Sequence, residues 1–313
     1  MSEKIAIIDL GTNTFHLLIA ETTEGSSHIL HREKQPVKIG MGGINQGHIT
    51  EAAIQRALTC LHKFKKTMDE RKVSRSLAFG TSALRSASNG ADVVQQIEKE
   101  TGIQVQLISG DAEAEYIFYG IQSAMDLGLE KSMIVDIGGG SVEFIIGNRS
   151  QLFWKHSFDL GAQRLLERFQ KHDPILPSEI KTLEDFFESS LPLLADAIQI
   201  HHPSTLIGSS GTFDTLSEIY CIQQGIPFSH EDPETPLAHQ AFSLIHEELI
   251  SKNRADRLQI QGMIEMRVDM IVVASCLVNY LLKRFSFKKI RVSSWSMKEG
   301  VLAKYSGSIK TMP

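Results

Sequence analysis

Two aspartates, Asp9 and Asp136, each end an apolar run and stand directly before a glycine-containing turn. A carboxylate there repels phosphate unless a hard cation lies between them, and proteins commonly hold Mg²⁺ with one or two carboxylates, phosphate oxygens and water. Glu143 lies on the same side of the next strand as Ser141, within reach of that ion, although a solvent-facing strand residue is the alternative interpretation. The pattern predicts phosphate chemistry assisted by Mg²⁺ at Asp9, Asp136 and Glu143.

Four short segments rich in glycine, serine and threonine could supply donors to phosphate. Glycine adopts positive φ and has no side chain that blocks close approach, so such a turn can direct several N–H groups at one anion. Arg85 and Arg164 lie near these segments, and their planar guanidinium groups could each donate two hydrogen bonds to a phosphate, although each arginine alone is typical of a surface residue. For any single segment an ordinary turn is the alternative. The phosphate-binding candidates are Gly11, Thr12, Asn13, Ser82, Arg85, Gly138, Gly139, Gly140, Ser141, Gly208, Ser209, Ser210, Gly211 and Thr212.

An internal repeat connects these segments. Residues 5–20, IAIIDLGTNTFHLLIA, align without a gap with residues 132–147, SMIVDIGGGSVEFIIG, so that Asp9 falls on Asp136. Further on, LAFGTS (77–82) resembles LIGSS (206–210), and the two pairs of segments have nearly equal separations. Because two independent pairs repeat in register, we expect duplicated domains with opposed phosphate-binding loops across an interdomain cleft.

The elements between the repeats alternate between strand and helix, which predicts an α/β fold. Strands are expected at 76–79 and 105–108, and a helix at 51–72 behind a Thr50 cap. We expect a first domain over residues 1–125 and a second over residues 126–313, with a surface loop at 223–236. The second domain should carry additional helices at 179–200, 240–250 and 256–284.

Bulk properties exclude several classes of protein. At 313 residues the chain is longer than one hydrophobic core usually supports, and its net charge of −5 gives no general attraction to nucleic acid or to an anionic membrane. No P-loop motif occurs. The apolar stretch 268–282 is too short for a bilayer and predicts a core helix. Three widely spaced cysteines, and no secretory leader at the start, predict a cytoplasmic protein.

The motifs resemble those of the exopolyphosphatase/guanosine pentaphosphate phosphohydrolase family, in the actin-like, sugar kinase and Hsp70 superfamily. The matching segments keep the family's order from end to end: IAIIDLGTNTFHLLIA, AFGTSALRSASN, ISGDAEAEYIFYG, IVDIGGGSVEFIIG, DLGAQRL, LIGSSGT and SSWSMKEGVL. The resemblance implies two ribonuclease-H-like domains with a cleft between them, Mg²⁺ dependence, and hydrolysis of the terminal phosphoanhydride of polyphosphate or of guanosine pentaphosphate. It also suggests a homodimer.

The resemblance assigns the family's general base to Glu113, which the residues alone rank no higher than Glu115. Asp136 and Glu143 match the family's metal-binding acids. The chain departs from the family pattern at Glu115, where arginine is common, and at Lys298, which replaces the arginine of the closing Arg-Glu-Gly motif, so substrate contacts there are expected to differ. The sequence ends before the extra C-terminal helical domains that longer relatives carry. We therefore do not expect processive hydrolysis of very long polyphosphate chains.

The sequence therefore predicts an exopolyphosphatase that uses Glu113 to deprotonate water. Hydrolysis of guanosine pentaphosphate remains an alternative activity. Two other classes also remain: an ATP-dependent kinase of the same superfamily, which would produce ADP from a second substrate, and a non-catalytic sensor that binds guanosine pentaphosphate or tetraphosphate without releasing phosphate.

Overall fold

A computed structural model describes residues 2–229 and 231–308. The expected domain ranges also include residue 1 and residues 309–313, and the expected surface loop includes residue 230, all of which lie outside the described residues. The first half of the chain forms β1 (Glu3–Leu10), β2 (Thr14–Thr23), β3 (Ser26–Pro36), a 3₁₀ turn (Ile44–Gln46), α1 (Glu51–Glu70), β4 (Arg75–Gly80), α2 (Ser82–Ser86), α3 (Gly90–Thr101), β5 (Val105–Leu107) and α4 (Gly110–Ala124).

The second half repeats the opening strands and then adds helices. It forms β6 (Ser132–Ile137), β7 (Val142–Gly147), β8 (Leu152–Phe158), α5 (Ala162–Phe169), α6 (Pro177–Ser190), α7 (Pro192–His201), β9 (Thr205–Ser209), α8 (Ser210–Gln224), β10 (Glu234–Thr235), α9 (His239–Ser251), α10 (Arg254–Arg257), a 3₁₀ turn (Glu265–Arg267), α11 (Ile271–Arg284), β11 (Lys289–Ser293) and α12 (Met297–Tyr305).

The two sheets have the same topology. The first has the strand order β3-β2-β1-β4-β5, and the second has β8-β7-β6-β9-β11 with the short β10 added at its edge. In both sheets the first two strands pair antiparallel and the first pairs parallel with the fourth. The expected α/β fold of two duplicated ribonuclease-H-like sheets is therefore confirmed, with the first sheet inside residues 1–125 and the second inside residues 126–313.

Side-chain alternation along the strands gives each sheet two buried faces. In β1, Ala6 and Ile8 pack under α1 and α3, whereas Ile5 and Ile7 face a core between the sheets. That central core contains α4 and α12, and it also receives Ile134 from the second sheet. The last helix of the second half therefore packs against β1 and α4 of the first half.

The helices α4 and α12 approach each other closely at two glycines. A Cβ atom built on Gly120 would overlap the carbonyl oxygen of Ser296, and one built on Gly300 would overlap that of Tyr116. Only glycine lets the two backbones come this near. The contact brings the segment before α12 against the base of the cleft between the sheets.

Local chemistry explains where the helices begin and end. Thr50 accepts a hydrogen bond from Ala53 N at 3.3 Å, which confirms the expected cap of α1. The prediction of one helix over 179–200 was wrong, because Pro192 starts a new helix and cannot continue the previous one. The prediction of one helix over 256–284 was also wrong, because Gly262 has a φ of +90° and separates α10 from α11.

None of the helices within residues 2–229 and 231–308 is both long enough and apolar enough to cross a bilayer.

Candidate active site

The turns after β1 and β6 have the same backbone geometry. Gly11 N donates to Thr14 O at 3.2 Å, and Gly138 N donates to Ser141 O at 3.0 Å. A Cβ atom at Gly11 or Gly138 would lie only 2.9 or 3.0 Å from that same carbonyl oxygen. Glycine is therefore required at the first position of both turns.

In the first loop, the carbonyl groups of Thr12 and Asn13 are bound to protein. Thr12 O accepts from Gly40 N at 3.0 Å, and Asn13 O accepts from Lys38 N at 2.8 Å. In the part of the chain that the structure describes, the N–H groups of Thr12 and Asn13 have no acceptor. Loops that bind phosphate orient their backbone in this way, because only the N–H ends attract an anion.

The second loop repeats this arrangement with a different partner. The carbonyl groups of residues 138–140 accept from the N–H groups of residues 161–163 at the start of α5, at distances of 2.9–3.3 Å. The N–H groups of Gly139 and Gly140 have no acceptor among the described residues. Two loops from opposite sheets therefore present unpaired donors to one cleft of about 580 Å³, where both line the wall.

The two remaining glycine- and serine-containing segments contribute fewer residues to the wall of the cleft. Ser82 lies at the start of α2 and lines the cleft, and Ser210 does so at the start of α8 with a φ of +69°. The space beside Gly211 is filled by the Arg267 guanidinium. The other four candidates of the last segment do not line the cleft: Gly208, Ser209, Gly211 and Thr212.

Four carboxylates share the cleft with these loops: Asp9, Glu113, Asp136 and Glu143. Asp136 accepts from Ser296 Oγ at 2.5 Å, and Glu143 accepts from Ser157 Oγ at 2.7 Å. Each serine holds one oxygen of its partner carboxylate in place.

Glu113 belongs to the first turn of α4, which begins where Ser109 Oγ accepts from Ala112 N at 3.1 Å. The Arg85 guanidinium lies 2.9 Å from Glu113 Oε2 and also donates to Ile108 O. Arg85 does not itself line the cleft, so in this structure it orients Glu113 instead of facing a ligand. This ion pair distinguishes Glu113 from Glu115, which binds Lys155 and Lys304 away from the cleft.

Burial and mutual repulsion raise the pKa values of Asp9, Glu113 and Glu143. Burial, together with the charges of Glu113 and Asp136, raises the pKa of Asp9 to about 7. Burial raises the pKa of Glu113 to about 7 although Arg85 opposes the shift. The pKa of Glu143 is raised well above its ordinary value by burial and by the charges of Glu113 and Asp136. Burial and repulsion therefore disfavour the charged form of these three carboxyl groups.

The donor set fits a Mg²⁺ ion that completes its coordination with phosphate. A divalent cation among Asp9, Asp136 and Glu143 would relieve the repulsion that raises the pKa values of Asp9 and Glu143. Within residues 2–229 and 231–308, no three His, Cys, Asp or Glu side chains form a ready-made metal cage. Mg²⁺ usually takes one or two carboxylates and fills its other positions with water and phosphate oxygens.

Several cleft residues were not identified from the sequence. His16 pairs with Asp9 across β1 and β2, in the position that Glu143 has opposite Asp136, so the internal repeat pointed to it. Burial and nearby Lys298 hold its pKa well below the usual range, which makes His16 neutral at pH 7. Ser296 belongs to the closing motif, whereas Arg267 lies in a segment expected to be an ordinary helix and had no signal.

Buried polar atoms in this cleft, among them Asn13 Oδ1, Ser82 Oγ and Arg267 Nε, have no protein partner within the described ranges. Unpaired buried polar atoms are rare in folded proteins because each loses its bonds to water. Their convergence in one cleft is typical of a site that a polar ligand completes.

A second, larger compartment of about 1130 Å³ adjoins the cleft at His16. Its walls include Lys34, Lys298, Asp214 and the indole of Trp295. Burial lowers the pKa of Lys34 to about 8 and raises that of Asp214 to about 6, with the opposite charges of the two groups limiting both shifts. This compartment can receive the rest of a ligand whose terminal phosphate lies between the loops.

A duplicated fold with unpaired loop N–H groups, clustered carboxylates and a positioned glutamate fits phosphoryl transfer, and comparisons with known proteins identify a hydrolase of phosphoanhydride bonds. The model of the Ppx/GppA phosphatase family matches residues 18–308. The chain belongs to the Ppx/GppA phosphatase family.

Individual relatives extend the similarity over the whole chain. A crystallised exopolyphosphatase from Cytophaga hutchinsonii has 44% sequence identity to this chain. The two structures superpose with a TM-score of 0.95 over 98% of this chain and 99% of that one. The Ppx/GppA family member of Aquifex aeolicus is 24% identical, with a TM-score of 0.80 over the full length of both chains, and shows the fold alone. A Haemophilus influenzae protein, provisionally named an exopolyphosphatase, is 26% identical over 96% of this chain and 90% of its own length.

Proposed function

We propose that the chain removes the terminal phosphate from inorganic polyphosphate, with Glu113 as the general base. The observation that carries the proposal is the convergence of Glu113 with two loops in which the N–H groups of residues 12–13 and 139–140 have no acceptor in the described part of the chain. The 44% identity to a crystallised exopolyphosphatase supports polyphosphate as the substrate.

The residues divide the work of phosphoryl transfer. The loop N–H groups and Ser82 bind oxygens of the terminal phosphate, which positions its phosphorus atom in the cleft. Glu113, oriented by Arg85, accepts a proton as the water oxygen bonds to that phosphorus and the bridging P–O bond breaks. The products are inorganic phosphate and a chain shorter by one unit. Mg²⁺, when bound at Asp136, Glu143 and Asp9, supplies positive charge that neutralises the phosphate oxygens.

Phosphate release from defined substrates tests the proposal. With Mg²⁺ present, we expect release from short and long polyphosphate to exceed release from guanosine pentaphosphate, and no ADP from ATP offered with an acceptor. Tight binding of all three phosphate compounds without release would contradict the hydrolase assignment and favour a sensor. Formation of ADP that depends on the acceptor would favour a kinase.

Guanosine pentaphosphate is the second candidate substrate, and the compartment beside His16 is the observation that favours it. Its lining includes Trp295, which could stack on a purine, and Asp214, which could hydrogen-bond to one. Trp295→Ala should then weaken release from guanosine pentaphosphate and leave release from polyphosphate unchanged. An equal effect on both substrates would mean that this compartment does not favour guanosine pentaphosphate as a substrate.

Activity should depend on pH through Glu113. A general base acts when deprotonated, and burial raises the pKa of Glu113 to about 7, so kcat/KM should fall as the pH falls through that value at low Mg²⁺ concentration. Added Mg²⁺ should move this acid limb to lower pH, because positive charge favours the carboxylate. Initial rates measured from about pH 5 to 9 at two Mg²⁺ concentrations check this. A limb near the pKa of an ordinary glutamate at both concentrations would contradict it.

A further inference from the structure

Arg164 joins the second phosphate loop to the other half of the molecule. Its Nε donates to Gly140 O at 2.8 Å, Nη1 donates to Ile44 O at 2.9 Å, and Nη2 donates to Ser86 Oγ at 2.9 Å. The sequence suggested that Arg164 could donate to phosphate. In the structure all three guanidinium nitrogens bind protein oxygens, so Arg164 has a different role.

The three acceptors belong to two domains. Gly140 lies in the loop after β6, in the same half of the chain as Arg164, whereas Ile44 and Ser86 belong to the first half. A second contact lies one turn further along α5, where Glu167 accepts from Gly42 N at 3.1 Å and from Asn45 Nδ2 at 3.3 Å. One face of α5 is therefore docked on the first domain beside the cleft.

The loop of residues 138–140 depends on α5 for its position, because its carbonyl groups accept from the first N–H groups of that helix. It also contacts the opposite loop directly: a Cβ atom on Gly140 would lie 2.5 Å from Thr12 Oγ1 and 2.6 Å from Ser82 Oγ. The distance between the two sets of phosphate donors is thus set where α5 docks.

We propose that Arg164 is a positioning residue, which holds the two phosphate-binding loops at the separation that phosphoryl transfer requires. This inference rests on the proposed function. Arginine suits the task because its planar fork reaches three separate acceptors at fixed angles, which a lysine ammonium cannot do. Charged hydrogen bonds to partly buried oxygens are also stronger than neutral ones.

Arg164→Met compared with Arg168→Met tests the role. Arg168 lies on the same helix but is exposed and contacts the Phe169 and Phe186 rings instead of the first domain. We expect Arg164→Met to lower kcat/KM for phosphate release by about 10- to 100-fold, the range for losing charged hydrogen bonds. Most of the loss should appear in KM, because bound phosphate contacts both loops and draws them together. Arg168→Met should retain wild-type kinetics.

A coupling measurement separates positioning from general stability. Ser86→Ala should weaken kcat/KM less than Arg164→Met, and it should add little in the double variant because its partner is already absent. Small-angle X-ray scattering of the ligand-free protein should give a larger radius of gyration for Arg164→Met than for Arg168→Met. Unchanged KM and radius in Arg164→Met, or equal losses in Arg168→Met, would overturn the proposal. If the wild type released no phosphate, the proposed function would fail, and scattering would still test the interdomain contact.

Discussion

Glu113→Gln should lower the turnover number for phosphate release by about 10²- to 10⁴-fold, the usual contribution of a positioned general base. Glutamine keeps the shape of the side chain and can still accept a hydrogen bond from Arg85, so the first turn of α4 should be unchanged. What it loses is the ability to accept a proton from water. Release of phosphate from polyphosphate at saturating substrate and Mg²⁺ measures the effect.

Glu115→Gln is the matched control, because Glu115 lies two residues further along the same helix and binds Lys155 and Lys304 at the surface. It should retain nearly wild-type turnover. The substrate KM of Glu113→Gln should change little, since the loops that bind phosphate are intact. Near-wild-type turnover in Glu113→Gln would exclude this residue as the base, and a comparable loss in both variants would indicate damage to α4.

Asp136→Asn should lower turnover by about 10²- to 10³-fold, as removal of one preorganised charge-stabilising group does in other enzymes. It should also raise the Mg²⁺ concentration needed for half-maximal activity, because the variant has lost a charged oxygen donor. Ser296 can still donate to the remaining carbonyl oxygen, so the local structure should persist. Activity titrated with Mg²⁺ at fixed polyphosphate checks both effects.

Asp92→Asn provides the control for net charge, since Asp92 is exposed in the first turn of α3. It should leave the Mg²⁺ titration unchanged. If Asp136→Asn lowered turnover but left the Mg²⁺ requirement unchanged, Asp136 would act without binding the ion. Asp9 and Glu143 would then be the remaining candidate metal ligands.

The strand-turn-strand unit around Asp9 could be predicted because its signals are local. Two apolar runs and an Asp-x-Gly turn define the first unit, and the repeat at Asp136 identifies the second. Closure of the cleft depends on contacts between residues far apart in sequence, so it left no local pattern. Arg267 lines the cleft with Asp136 and comes from a segment expected to be one helix, which is interrupted at Gly262.

The role of Glu113 could be taken from the family resemblance but not from the residues. Glu113 and Glu115 have the same chemistry and lie on the same helix, and what separates them is three-dimensional: Glu113 lines the cleft beside Arg85, whereas Glu115 binds two lysines away from it. The segment around Gly208 had the composition of a phosphate-binding loop. Gly208 nevertheless lies within strand β9, and the Phe213 ring fills the space beside it. Composition indicates that a turn can bind an anion, whereas packing decides whether it faces one.

The packing of α12 between the sheets has a consequence for the order in which the molecule is built. During synthesis the first 125 residues leave the ribosome long before residues 297–305, so the part of α4 that packs against α12 lacks that partner for most of the time. The close approach at Gly120 and Gly300 can form only after the second sheet is complete. The two halves should therefore gain their final stability together, in one late and cooperative step, and a fragment ending after α4 should expose the apolar surface that α12 covers.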